Sequence, residues 1–224
     1  MEVAREDFKE CCIKEYLRRG KPWQPDVLLI EKDSQLIVIK DYLHRPFLYR
    51  VFVGIWSVWR ESYIYRRLNG LSGVPKFYGK IDRYALAIEY IKGKNASECK
   101  KEDISKDFFI RLKEIVDIIH EKGIVICDMR NNKNIIIRDD GMPYIIDYCT
   151  AFERGYKINL IRNFIFNIFW QDDMLGIAKL KKRTAPELLS KEEEDGLTNG
   201  LFLQKEAIFI RKIVTKWLKK LTAN

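Results

Sequence analysis

The sequence predicts an α+β fold, with a small antiparallel sheet in the first part of the chain and a mainly helical second part. Three observations lead there. Two β-rich runs, 26–31 and 35–40, are separated only by Lys32-Asp33-Ser34, a hairpin signal. A second strand–turn–strand unit, 134–137 and 144–146, is joined through Asp139-Asp140-Gly141. Longer runs, 108–120 and 156–182, read as helices.

In chain order, residues 2–19 carry Val3, Phe8, Cys12, Tyr16 and Leu17 as a loose helical stripe, ended by Gly20 and Pro22. The first hairpin then ends in VIK, with Lys40 last. Glu61 opens a helical run closed by Gly70 and Pro75, and 84–88 is an apolar strand leading through Glu89-Tyr90-Ile91 into Lys92-Gly93. The helix 108–120 turns Phe109, Leu112, Val116 and Ile119 to a core, and His120 at its end is expected to be structural. After Gly123 come an apolar strand, 124–126, and a polar loop opening with Asp128. Within the helix 156–182, the pair Asp172-Asp173 is expected to face solvent, the alternative being an anchor beneath that loop.

The last stretch, 203–221, places Leu203, Ala207, Ile210, Val214, Trp217, Leu218 and Leu221 on one face, with Lys205, Lys212, Lys216 and Lys219 on another. This basic amphipathic helix suits either docking on the second half of the chain or an anionic membrane surface.

Composition narrows the setting. The 224 residues (26.7 kDa) suit one compact unit or two small lobes, and a net charge of +9 with pI about 9.2 favours anionic partners such as nucleotide phosphates or acidic lipid headgroups. Five cysteines, odd in number and without C-x-x-C spacing, argue for a reducing compartment and against zinc. The opening MEVARED is charged too early for a signal peptide, and the apolar runs 51–59 and 158–170 are too short to span a bilayer. The chain is thus expected in the cytoplasm, with any membrane contact peripheral. The sequon Asn95-Ala96-Ser97 is expected there as a chance match.

The chemistry concentrates in 120–152. Asp128 and Asp147 follow apolar strands that can aim both carboxylates at one point, and Asn134 lies between them. Oxygen ligands so placed can hold a divalent cation and position a hydroxyl, as phosphoryl transfer requires.

These residues resemble the protein-kinase-like superfamily. Asp128 stands where the catalytic-loop Asp of H-R-D would be, with Ile126 and Cys127 replacing His and Arg, and Asp147 where the Asp of D-F-G would be, followed by Tyr148-Cys149. Lys40 matches the V-A-I-K lysine and Glu61 its helix partner. The resemblance implies a minimal bilobal kinase-like fold with lobes 1–91 and 92–224 and no long activation segment. It implies ATP and Mg²⁺ as cofactors, with Lys40 and Glu61 at the phosphates and backbone groups of Glu89 and Ile91 at adenine. Asn134 and Asp147 would hold the metal, Asp128 would orient the acceptor hydroxyl, and Arg130 would offset γ-phosphate charge. Asn134 lies six residues after Asp128, where the usual spacing is five, and no glycine-rich phosphate cover precedes Lys40. Such a cover is either a hairpin around 32–35 or lost.

The block RPFLYRVFVGIWSVWRESYIYRRLNGLSGVPKFYG, with the KLKKRTAPELLSKEE tail, is similar to the bacterial lipopolysaccharide kinases that phosphorylate Kdo and heptose. That placement implies a sugar hydroxyl of a membrane glycolipid as acceptor. RIO-type atypical kinases share the layout, so a Ser/Thr protein substrate is the second reading. A non-catalytic nucleotide-binding or membrane-surface module is the third, and nucleic acid is not an expected partner.

Overall fold

The computed structural model describes residues 3–8 and 13–199. The described residues divide into two compact units, the first comprising those up to Gly70 with Pro75–Tyr90, the second Leu71–Val74 and 91–199.

The first unit is built on a five-stranded sheet in the order β1-β2-β3-β5-β4. Strands β2 (Asp26–Lys32) and β3 (Gln35–Asp41) form the expected hairpin, in register from Asp26 opposite Asp41 to Lys32 opposite Gln35. Asp33 and Ser34 both take positive φ (51° and 59°), the backbone that a two-residue turn with the twist of its strands demands. β5 (Ala85–Glu89) lies against the other edge of β3, and β4 (Phe77–Lys80) closes that side. Leu28, Ile30, Ile37, Ile39, Ala85 and Ala87 form the core of one face, with Val3 and Phe8 laid over it.

The helix expected over 2–19 is not what forms. A single 3₁₀ turn (Arg5–Phe8) precedes strand β1 (Ile13–Arg18), which pairs antiparallel with β2. The reason is local: β1 is irregular between Ile13 and Glu15 and again between Tyr16 and Arg18. The first bulge inserts a residue between the inward side chains Ile13 and Tyr16, so they fall three apart and the strict alternation that marks a strand is lost.

The helix carrying Glu61 also starts earlier than expected. It begins as α1 (Phe47–Tyr49), passes through a π-helical stretch (Arg50–Gly54) and continues as α2 (Ile55–Leu68), so Glu61 sits mid-helix. Gly54 lies under Tyr42, where an added Cβ would come within 3.0 Å of the tyrosine Cβ. Val58, Ile64, Tyr65 and Leu68 form the buried side, and Tyr65 stacks on Phe77 at 5.9 Å.

In the second unit, α3 (Lys106–Glu121) is capped by Ser105, whose hydroxyl accepts from Phe108 N. Strands β6 (Gly93–Asn95), β8 (Ile135–Arg138) and β9 (Pro143–Ile145) form one small sheet, and β7 (Ile124–Val125) pairs with β10 (Phe152–Glu153). The long helix α4 (Leu160–Thr184) starts at Leu160, four residues later than expected, after Asn159, whose side chain caps Arg162 N. A short helix α5 (Lys191–Asn199) follows. The expected basic helix over 203–221 lies outside the described residues. Among the described residues no helix is long and apolar enough to cross a membrane.

The N-terminal turn is held by charge. Arg5 makes a two-pronged contact with Asp41 (2.8 and 3.1 Å) and a further ion pair with Asp82, which joins the turn to β3 and the β4–β5 connection. Burial works against the Asp82 carboxylate, but Arg5 and the amides of Tyr84 and Ala85 outweigh it and hold its pKa below the ordinary value. A depressed carboxylate stabilises the fold above its unfolded pKa and loses that contribution as pH falls through the folded one. Unfolding free energy, followed by urea titration across an acid series, should therefore fall below about pH 4, and Asp82→Asn should flatten part of that fall.

Candidate active site

Lys40 projects from the next-to-last position of β3, opposite Val27 and Leu86. Its ammonium meets Glu61 Oε1 at 2.6 Å, and both residues are buried. Two charges removed from water must be matched closely, because breaking such a pair costs about 3–5 kcal/mol.

The register sets the hairpin at 32–35, where a phosphate cover was one expectation, apart from Lys40. The 33–34 turn stands at the end of β2–β3 remote from Lys40, since Lys32 faces Gln35 while Val27 faces Lys40. At the Lys40 end the connection is 19–25, between β1 and β2, and it contains Gly20. A Cβ at Gly20 would collide with the carbonyls of Gln24 and Pro25, so the loop turns there only with glycine. Asp26 accepts from Gly20 N (2.8 Å), Arg45 donates to Gly20 O (2.7 Å) and pairs with Asp26, and the Tyr49 hydroxyl donates to Trp23 O (2.5 Å).

In the second unit, Asp128 follows β7 after Cys127, whose φ is +65°. A left-handed non-glycine residue must be held by its surroundings. Asp173 does this from α4. Its carboxylate has no exposure and accepts from Ile126 N (2.7 Å), Cys127 N (2.9 Å) and His120 Nε2 (3.0 Å). Burial pushes the Asp173 carboxyl up, against the pull of those three donors. One residue earlier, Asp172 meets Arg130 at 2.7 Å, a contact of charge to charge without hydrogen-bond alignment at Nε. One turn later, Gly176 lets α4 approach so closely that a Cβ would run into Met129 and the Arg130 amide. Three α4 residues thus fix the loop 126–130 from beneath. Of the two readings of the Asp172-Asp173 pair, solvent exposure is the one the structure overturns.

Asn134 ends the 3₁₀ turn Asn132–Asn134 and is buried. Its Nδ2 donates to Asp128 Oδ2 at 3.0 Å, which turns its carbonyl oxygen away from that acid. The extra loop residue is absorbed by that turn, with Asn134 N bonding to Asn131 O and Asn131 N to Asp128 O. Ile146 N donates to Asn134 O at 2.8 Å, so Asp147, the next residue, starts beside Asn134. Asp147 has φ +71°, a second left-handed non-glycine position, and Tyr148 after it is wholly buried. Thr150 Oγ1 reaches Ile126 O (3.3 Å), and the β7–β10 pairing then ties the segment after Asp147 to the strand before Asp128. Asn134 and Asp147 are hard oxygen donors, a set that suits Mg²⁺ completed by phosphate and water oxygens. Cys127 is buried and Cys149 half-buried.

Glu89 ends β5 with its amide bonded to Lys76 O (2.8 Å) and its carboxylate to Lys76 N (2.9 Å), and Ile91 is buried two residues on. The residues that sequence reasoning underweighted are Asp173 and Gly176.

The chain shares its fold with protein kinases. The Rio2 kinase from Chaetomium thermophilum, in a complex with ADP/Mg²⁺ and phosphoaspartate, matches at a TM-score of 0.60 and 15% identity over 80% of this chain. A second structure of that kinase matches at 0.59 and 14% over 80%. The chain spans 58% and 60% of the length of these two proteins. No protein-family model matches the sequence, and no curated protein matches it. Both structures are RIO kinases, the second of the two families resembled by the motifs, and neither supports the lipopolysaccharide-kinase resemblance.

Removing the Asp173 carboxylate strands two buried amides and a histidine. Asp173→Ala should lower unfolding free energy in urea by about 3 kcal/mol or more, and Asp173→Asn, which keeps an acceptor oxygen, by about 1–2 kcal/mol.

Proposed function

We propose that this chain is an ATP-dependent kinase that moves the γ-phosphoryl group to an alcohol hydroxyl. The observation that carries the reading is the Asp128–Asn134 hydrogen bond, with Asp147 placed beside Asn134 by the Ile146–Asn134 bond, on a loop that α4 holds rigid. In this reading Asn134 and Asp147 hold Mg²⁺, which neutralises charge on the transferred group. Lys40, steadied by Glu61, contacts the α- and β-phosphates, and backbone groups of Glu89 and Ile91 take adenine. Asp128 orients the acceptor O–H and takes its proton as the new P–O bond forms and the bond to the ADP oxygen breaks. Arg130 adds positive charge near that acid, tempered by Asp172.

The likeness to a kinase crystallised with ADP/Mg²⁺ supports this nucleotide and metal. For the acceptor, the block around Glu61 favours a sugar hydroxyl of a glycolipid such as lipopolysaccharide core. The RIO-type layout of the motifs, supported by the Rio2 likeness in fold, carries a Ser/Thr protein substrate as the second reading.

Thermal melting and radiolabel transfer test the proposal together. ATP with Mg²⁺ should raise the melting temperature, and Asp147→Ala should abolish the metal-dependent part of that rise. Asp128→Ala should leave nucleotide binding in place but reduce transfer by about 10²-fold or more. Stabilisation that is absent or indifferent to Mg²⁺ would instead favour a non-catalytic module. Offering liposome-embedded glycolipid and a generic protein in parallel chooses the acceptor.

A further inference from the structure

The helix that carries Glu61 shows an apolar face to water as well as to the core. Between residues 47 and 63 every exposed residue is apolar or aromatic: Phe47, Leu48, Phe52, Trp56, Trp59 and Tyr63. Phe52, Trp56 and Trp59 are exposed to 68%, 55% and 51%. From Leu48 the spacing runs four, four, three, four, so these side chains form one row along α1 and α2. The row is about 22 Å long at the helical rise. Its rings are already arranged, with Trp56 and Trp59 centroids 5.1 Å apart and Trp59 stacked on Tyr63 at 6.1 Å. An outward helix face is ordinarily polar, and a contiguous exposed apolar patch marks an interaction surface.

Charge identifies the occupant. Residues 44–69 contain Arg45, Arg50, Arg60, Arg66 and Arg67; Arg45 is paired with Asp26, and the single acid of the stretch, Glu61, is buried against Lys40. Arg66 and Arg67 are exposed just beyond Tyr63, so the row ends in cations. We infer that this aromatic row is a docking face for an anionic lipid bilayer, lying flat in the headgroup region. Trp and Tyr rings favour that region, and arginines with a net charge of +9 are drawn to acidic headgroups. A second copy of the chain suits the face less well, because two such surfaces would bring like charges together. The inference does not rest on the phosphotransferase reading.

Co-sedimentation of the full chain with vesicles tests it. Wild type should bind vesicles of phosphatidylcholine mixed with phosphatidylglycerol, less so phosphatidylcholine alone, and its tryptophan emission should shift to the blue. Trp56→Ser with Trp59→Ser should weaken binding by roughly ten-fold or more and remove most of that shift. Phe52→Ser with Tyr63→Ser, from the same row, should act in the same direction. These side chains face solvent, so melting temperatures of both variants should stay near wild type, which separates lost docking from lost folding. Three outcomes would overturn the inference: no vesicle binding, equal binding by wild type and both variants, or vesicle-independent self-association that the variants abolish.

Discussion

The candidate chemistry of the second unit depends on one buried carboxylate. Asp173 accepts both amides of the turn before Asp128, and without it two N–H groups would lie in the interior with no acceptor while Cys127 held a left-handed backbone. Either cost alone is about 1–3 kcal/mol. Asp173 removes the first and, by fixing the direction of both amides, enforces the second. The arrangement works because neighbouring α4 positions cooperate: Asp172 reaches Arg130, and Gly176 supplies the close approach that shortens the distance from helix to loop. A larger residue at 176 would lift α4 away from the amides that Asp173 must reach.

This scaffold was only partly legible in the sequence. The hairpin of β2 and β3, the second hairpin of β8 and β9, and the helix before the loop follow from turn chemistry and apolar spacing that act over a few residues. Asp173 was not so placed, because an acid on a helix looks the same in sequence whether it faces water or backbone amides. The signal was there in position: an adjacent acid pair with glycine one turn later on a long apolar helix. Strand β1 was misread because Tyr16 and Leu17 were taken into a helical stripe with residues before the strand, while the bulge between Ile13 and Glu15 removes the strict alternation that marks a strand, and only pairing with β2 reveals it. The start of the Glu61 helix was missed because its outward row is aromatic where the helical template expects polar residues.

Lys40 and Glu61 show the same limit from the opposite side. Their pairing was inferred from motif order, and the structure brings them to 2.6 Å. What motif order could not supply is the consequence of burying that pair for the helix around it. Glu61 and Ser62 are almost wholly inside, whereas Phe52, Trp56 and Trp59 are more than half exposed.

Apolar burial alone does not decide the rotation of this helix, because both of its faces carry apolar side chains. Turning the tryptophans inward would gain about 25 cal/mol for each Å² of apolar surface removed from water. The same rotation would draw Glu61 from Lys40 and leave an ammonium buried on β3 without that partner, at about 3–5 kcal/mol. It would also expose Val58, Ile64, Tyr65 and Leu68, which now pack inside. The ion pair and the opposite apolar row therefore act together to set the rotation of the helix. The aromatic row is left outside as the geometric complement of the Lys40–Glu61 pair, so the residues that hold the lysine in place also determine which face the helix presents to its surroundings.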